Sequence, residues 1–134
     1  MRSFEFIPHT AEAGIRVRAD TPEELYRGAL EGMAEWLKPG LPRSADRRER
    51  MAVSSAFPTT LLTDFLIDAL TRSQITRTVF FDLEMHSLER ESLDCTLLGR
   101  AVDDFDDDIK AITYHGAGIL EKDGGYETEV IFDI

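Results

Sequence analysis

Three histidines, His9, His86 and His115, are the side chains best suited to carry protons or bind a metal near neutral pH. His9 follows Pro8 and His115 precedes Gly116, turn-like settings that leave a ring accessible, whereas His86 falls on the outward parity of a strand and reads as surface. The carboxylates form a second group. Asp103-Asp104-Phe105-Asp106-Asp107-Asp108 offers the oxygen ligands that a hard cation wants, but five aspartates in one short connection repel one another and read as a solvated loop. Glu12 lies in the first loop, and Asp133 with the terminal carboxylate of Ile134 lies at the far end. If the last strand runs beside the first, these three groups converge, and their mutual repulsion then requires a neutralising cation. The single cysteine, Cys95, sits in an apolar strand pattern; it can form neither an internal disulfide nor a thiolate-rich zinc site, and it reads as packing. The sequence contains no phosphate-cradling G-x-x-x-x-G-K-S/T, no dinucleotide G-x-G-x-x-G, no H-E-x-x-H and no calcium-loop spacing.

The elements that must position these groups follow from hydrophobic period and capping. Phe4, Phe6, Ile15, Val17 and Ala19 alternate with Glu5, Arg16 and Arg18, which predicts two half-buried strands joined by a loop over Ile7 to Gly14. Thr21-Pro22-Glu23-Glu24 is a helix start with a capping box. Leu25, Ala29, Met33 and Trp36 recur at helical spacing until Lys38-Pro39-Gly40 ends the run. The stretch from Leu41 to Arg50 reads as a loop or strand lead-in, and a short strand around Met51-Ala52-Val53 precedes Pro58, a first-turn proline. Leu61, Leu62, Phe65, Leu66, Ala69 and Leu70 then form the apolar stripe of a second helix, with Thr63, Asp64 and Asp68 outward.

The second half reads as strands: Thr78 to Met85 with Val79, Phe81, Leu83 and Met85 on one face, then Leu93 to Leu97, Lys110 to Tyr114, and Tyr126 to Ile134. Turns fall at Glu89-Arg90-Glu91 and Asp123-Gly124-Gly125. These elements predict one α+β domain over residues 1–134: a two-layer sandwich in which a mixed or antiparallel sheet carries two amphipathic helices on one face. A formal net charge of -11, with 26 acidic and 15 basic residues, argues against direct nucleic-acid binding, because that binding relies on Lys and Arg at phosphates. No apolar stretch is long enough to span a bilayer and the N-terminus lacks a signal-peptide core, so a cytoplasmic protein with no membrane association is expected.

Three segments together resemble the archease family. Pro8-His9-Thr10-Ala11-Glu12-Ala13-Gly14-Ile15 is similar to that family's His-Thr-Ala-Asp segment followed by Gly-Ile. Lys110-Ala111-Ile112-Thr113-Tyr114-His115 is similar to its Lys-Ala-Val-Thr-Tyr-His motif, and Phe132-Asp133-Ile134 to its Val-Asp-Ile ending. The resemblance implies a small cytoplasmic protein cofactor that activates the tRNA-splicing RNA ligase, promoting its guanylylation and multiple turnover, and that is not itself an enzyme. It also implies a divalent metal, calcium above all but also magnesium or manganese, held by Glu12, Asp133 and Ile134. Lys110, Thr113, Tyr114, His115 and His9 then lie near that site as orienting or partner-contacting groups.

Two departures stand out. Glu12 replaces the family's aspartate and adds a methylene, and the segment from Gly99 to Ile109 is shortened and lacks the family's Gly-Glu and Arg-His elements. Two other functions stay open: a small metal-dependent hydrolase using His9 or His115 as general base beside the same cation, and a metal-free, chaperone-like interaction module.

Overall fold

The computed structural model describes residues 1–8, 12–114 and 118–134. Among the described residues, eight strands and two helices follow in the order β1 (Arg2–Pro8), β2 (Glu12–Ala19), α1 (Pro22–Leu37), β3 (Arg47–Ser54), α2 (Leu61–Thr76), β4 (Thr78–Leu88), β5 (Ser92–Ala101), β6 (Ala111–Thr113), β7 (Leu120–Lys122) and β8 (Gly125–Asp133). All pairings are antiparallel. The expected α+β sandwich forms, with its strands divided between two sheets. One runs β1-β2-β8-β6, with β7 pairing a separate stretch of β8; the other runs β3-β5-β4.

Both helices start at or just after a proline that the sequence marks as a first-turn residue. Thr21 accepts a hydrogen bond from the Glu24 amide (3.2 Å), and Pro22 occupies the first turn of α1. A short 3-10 turn, Pro58–Thr60, leads into α2, which ends at Arg77 in the left-handed region (φ 50°). Helix α1 lies on β1, β2 and β8 of the first sheet and on β4 of the second, while α2 reaches β3, β4, β5 and β6. One apolar core therefore joins both sheets to both helices, through Ile15, Val17, Leu30, Met33, Phe65, Leu66, Leu97 and Phe132 among others. Gly28 and Gly32 bring α1 close to β2: a Cβ on either would stand 2.6 Å from Val17 Cγ1 or 2.7 Å from Ile15 Cδ1.

Four details differ from the sequence reading. The loop expected over Ile7 to Gly14 is narrower, because Ile7 pairs with Gly14 and Pro8 with Ala13, so Glu12 begins β2. Strand β3 starts at Arg47, since Arg48 and Arg50 use an exposed face to pair with Glu84 and Asp94. A bulge between Phe80 and Asp82 breaks the alternation of β4. Phe80 and Leu83 therefore both join the main core, while Val79 and Phe81 pack with Ala34 in a separate cluster. Finally, β7 is an additional strand, closed onto β8 by Asp123-Gly124, whose positive φ values (52° and 79°) suit a two-residue hairpin turn. Among the described residues, no helix is long and apolar enough to cross a membrane.

Candidate functional site

Strand β2 pairs with β8 along the whole of β2, and the pairing sets Glu12 directly opposite Asp133. Directly opposed residues of an antiparallel pair project to the same side, with Cβ atoms roughly 5 Å apart. Alternation sends Ala13, Ile15 and Val17 into the core, which leaves Glu12 and Asp133 on the outer face, both exposed. On its other flank Asp133 faces Ala111 of β6, and the Lys110 amide donates to the Asp133 carbonyl (2.7 Å). The core side of the same end is an aromatic series: Phe6 meets Trp36 edge-on and Trp36 meets Phe132, at centroid distances of 5.7 and 6.3 Å.

Two like charges held opposite one another across a ladder destabilise it unless a cation intervenes. The donors here are all oxygens, a set that suits a hard divalent cation, and a flexible coordination shell tolerates the extra methylene of Glu12. Among the described residues, no group of three or more His, Cys, Asp or Glu side chains converges on one point. Further donors at this end would be main-chain oxygens, and Ile134, adjacent to Asp133, is 42% exposed.

The remaining candidates fall on different sides of β6. Thr113 shares the outward parity of Ala111 and Asp133. Tyr114 has the opposite parity and turns toward α2, where its hydroxyl donates to Asp64. That bond raises the tyrosine above its usual range. The other Asp64 oxygen accepts from the Ser55 hydroxyl. Asp64 and Ser55 were not singled out in the sequence, where Asp64 reads as an outward helix residue. The one signal pointing to Asp64 is its acidic character in a first helical turn. His9 and His115, the two general-base candidates, lie outside the described residues. His86 is exposed, with Nε2 2.8 Å from the Thr96 hydroxyl.

The aspartate run closes the C-terminal end of α1. The Asp106 amide donates to the Leu37 carbonyl (2.8 Å), the Trp36 indole to the Asp108 carbonyl (3.3 Å), and Lys38 pairs with Asp106 (2.8 Å). Hydrogen bonding to Asp106 raises the Lys38 ammonium above its ordinary range. Cys95 is fully buried, and desolvation pushes its thiol up to about 11, which suits packing rather than reactivity.

Comparison with known proteins adds the family. A model of the archease protein family matches residues 4–134. The archease of Methanopyrus kandleri is 28% identical over 98% of this chain and 99% of its own, and that of Methanothermobacter thermautotrophicus is 27% identical over the whole of both. Among solved structures, Methanobacterium thermoautotrophicum protein 1598 superposes with a TM-score of 0.80 at 26% identity, covering 98% of each chain. An archease from Thermotoga maritima, described as a possible chaperone, shares the fold with a TM-score of 0.69 at 19% identity, over 96% of this chain and 94% of that one. With its motifs, its fold and nearly its full length matched, the chain belongs to the archease family.

Proposed function

We propose that this protein is a cytoplasmic protein cofactor of the tRNA-splicing RNA ligase, which it activates by promoting guanylylation and multiple turnover. The observation that carries the reading is the pairing of Glu12 with Asp133 at the β2–β8 end, within the segments that resemble the family motifs. Glu12, Asp133 and the main-chain oxygens of Ile134 would hold a divalent cation there, calcium first and magnesium or manganese after it. Such a cation supplies charge neutralisation that lets these groups stay together in one geometry. The chain's own residues do the rest: β6 backs Asp133, and Lys110 and Thr113 frame the site for a partner surface. A net charge of -11 supports a protein partner rather than RNA held directly.

A single-turnover assay of ligase–guanylate formation, with and without this protein, tests the reading. A faster rate with the matched ligase, lost on Asp133→Asn, is the expected result; an unchanged rate sinks it. The description of the Thermotoga relative as a possible chaperone motivates one second reading, a metal-free interaction module. Calorimetric titration with calcium, magnesium and manganese separates the two, since that module would bind none of them at millimolar concentration.

A further inference from the structure

We infer that Asp64 is a positioning residue, which clasps the Tyr114 hydroxyl at the start of α2 and thereby fixes β6 against the Asp133 end of β8. Strand β6 is three residues long and stands at the edge of its sheet beside β8. So short an edge strand is not held by its ladder alone. Two anchors on one parity fasten it: Ile112, 5% exposed, enters the core, and Tyr114 reaches Asp64. Tyr114 is 51% exposed, so apolar burial does not explain where its ring sits; the hydroxyl bond to Asp64 does.

Asp64 is suited to this task. It stands in the first turn of α2, where the helix N-terminus stabilises negative charge, and Thr60 supplies no side-chain cap. Ser55 occupies one carboxylate oxygen and Tyr114 the other, which fixes the orientation of the group. Hydrogen bonds to an ionised carboxylate are also stronger than neutral ones. From Tyr114 the chain runs back through Ala111, opposite Asp133, to the Lys110 amide on the Asp133 carbonyl. The clasp therefore reaches the backbone of the candidate ligand strand without touching Glu12 or Asp133. Its effect on a cation rests on the proposed reading of that pair; its effect on β6 does not.

The test is amide hydrogen exchange over residues 111–113, combined with calcium titration, on the wild type, Tyr114→Phe, Asp64→Ala and Asp64→Asn. Tyr114→Phe and Asp64→Ala are expected to speed exchange roughly tenfold, the scale of one lost charge-assisted hydrogen bond. Asp64→Asn, which keeps an acceptor oxygen without its charge, restores part of the protection, and the double variant Tyr114→Phe/Asp64→Ala behaves as Asp64→Ala. Calcium affinity falls in the same order, while exchange by local opening in β1 and β3 stays at the wild-type rate, a split that general loss of structure would not give. Faster exchange in a protein whose wild type binds no calcium supports the clasp and removes the cation reading. Unchanged exchange with calcium binding intact overturns the clasp and spares that reading.

Discussion

The close approach of α1 to β2 makes an ordered prediction for three glycine-to-alanine changes. At Gly28 the new methyl would stand 2.6 Å from Val17 Cγ1, on a side chain that is fully buried and, being β-branched, stiff at χ1. At Gly32 the nearest atom is Ile15 Cδ1 at 2.7 Å, the far end of a chain with a second rotor, followed by Phe4 Cδ2 at 3.3 Å. Both positions are helical, where alanine gains about 1 kcal/mol over glycine, against an overpacking cost of about 1–3 kcal/mol. Ile15 can turn its terminal methyl aside, so Gly32→Ala should come out near zero. Val17 cannot, and Gly28→Ala should lose about 1–2 kcal/mol.

At Gly99 the methyl would meet the Val79 carbonyl oxygen at 2.4 Å and Phe80 Cα at 3.0 Å, backbone that cannot rotate away, at the bulge of β4. With no helical gain to offset it, Gly99→Ala should cost about 3 kcal/mol or more. Urea unfolding reads these differences directly, and thermal melts should show about 3–5 °C per kcal/mol for a chain of this size. A Gly28→Ala protein as stable as the wild type, or a Gly99→Ala protein milder than Gly32→Ala, would refute the packing argument.

Other consequences can be checked on the same protein. Asp133→Asn should leave the cation-free protein within about 0.5 kcal/mol of wild type, since it relieves an exposed like-charge pair, yet abolish any rise in melting temperature on adding calcium; an equal rise in both proteins would remove Asp133 as a ligand. Cys95, whose thiol is pushed up to about 11 by burial, should resist a thiol reagent at pH 8 until the protein is denatured, and fast labelling of the native protein would contradict this. Hydrogen bonds from Arg50 and Arg18 hold the Asp94 and Glu127 carboxyls below the usual carboxylate range. Because the folded values are the depressed ones, their contribution is present above about pH 4 and is lost as pH falls through them. Melting-temperature profiles against pH should therefore flatten at the acid end in Arg50→Gln, and identical profiles would dispose of the Asp94 contribution. The Ser73 hydroxyl is buried without a hydrogen-bond partner among the described residues, so Ser73→Ala should be neutral or stabilising by about 0.5–1 kcal/mol in urea titration.

Legibility in the sequence tracked how local each determinant is. The capping of α1 by Thr21, the apolar stripe of α2 and the strand of β8 depend on neighbours within a few residues and formed as read, except that Thr63, expected outward on α2, and Ile131, expected opposite Val130 and Phe132 on β8, are both buried by tertiary packing. Strand β7 has three exposed residues, Leu120, Glu121 and Lys122, and hence no apolar period to detect. The bulge in β4 is a property of its pairing with β5 around Gly99, which the alternation of Val79, Phe81 and Leu83 cannot reveal. Glu12 and Asp133 stood out first as carboxylates at two chain regions and then in the motif resemblance, and only the sheet register shows them opposed. Asp64 escaped because its partners, Tyr114 and Ser55, come from elements that meet it only in the folded molecule.

The pairing of β2 with β8 joins residues from nearly opposite ends of the sequence. Such a contact closes a long loop, a cost that the local hairpins β1–β2 and β7–β8 do not carry. The two carboxylates become neighbours only once the chain between them is made and folded so that the strands meet. Glu12 facing Asp133 is in that sense a completion mark: a chain still emerging from synthesis, or one cut within the second sheet, presents each acid alone. Whatever recognises the pair recognises a finished fold.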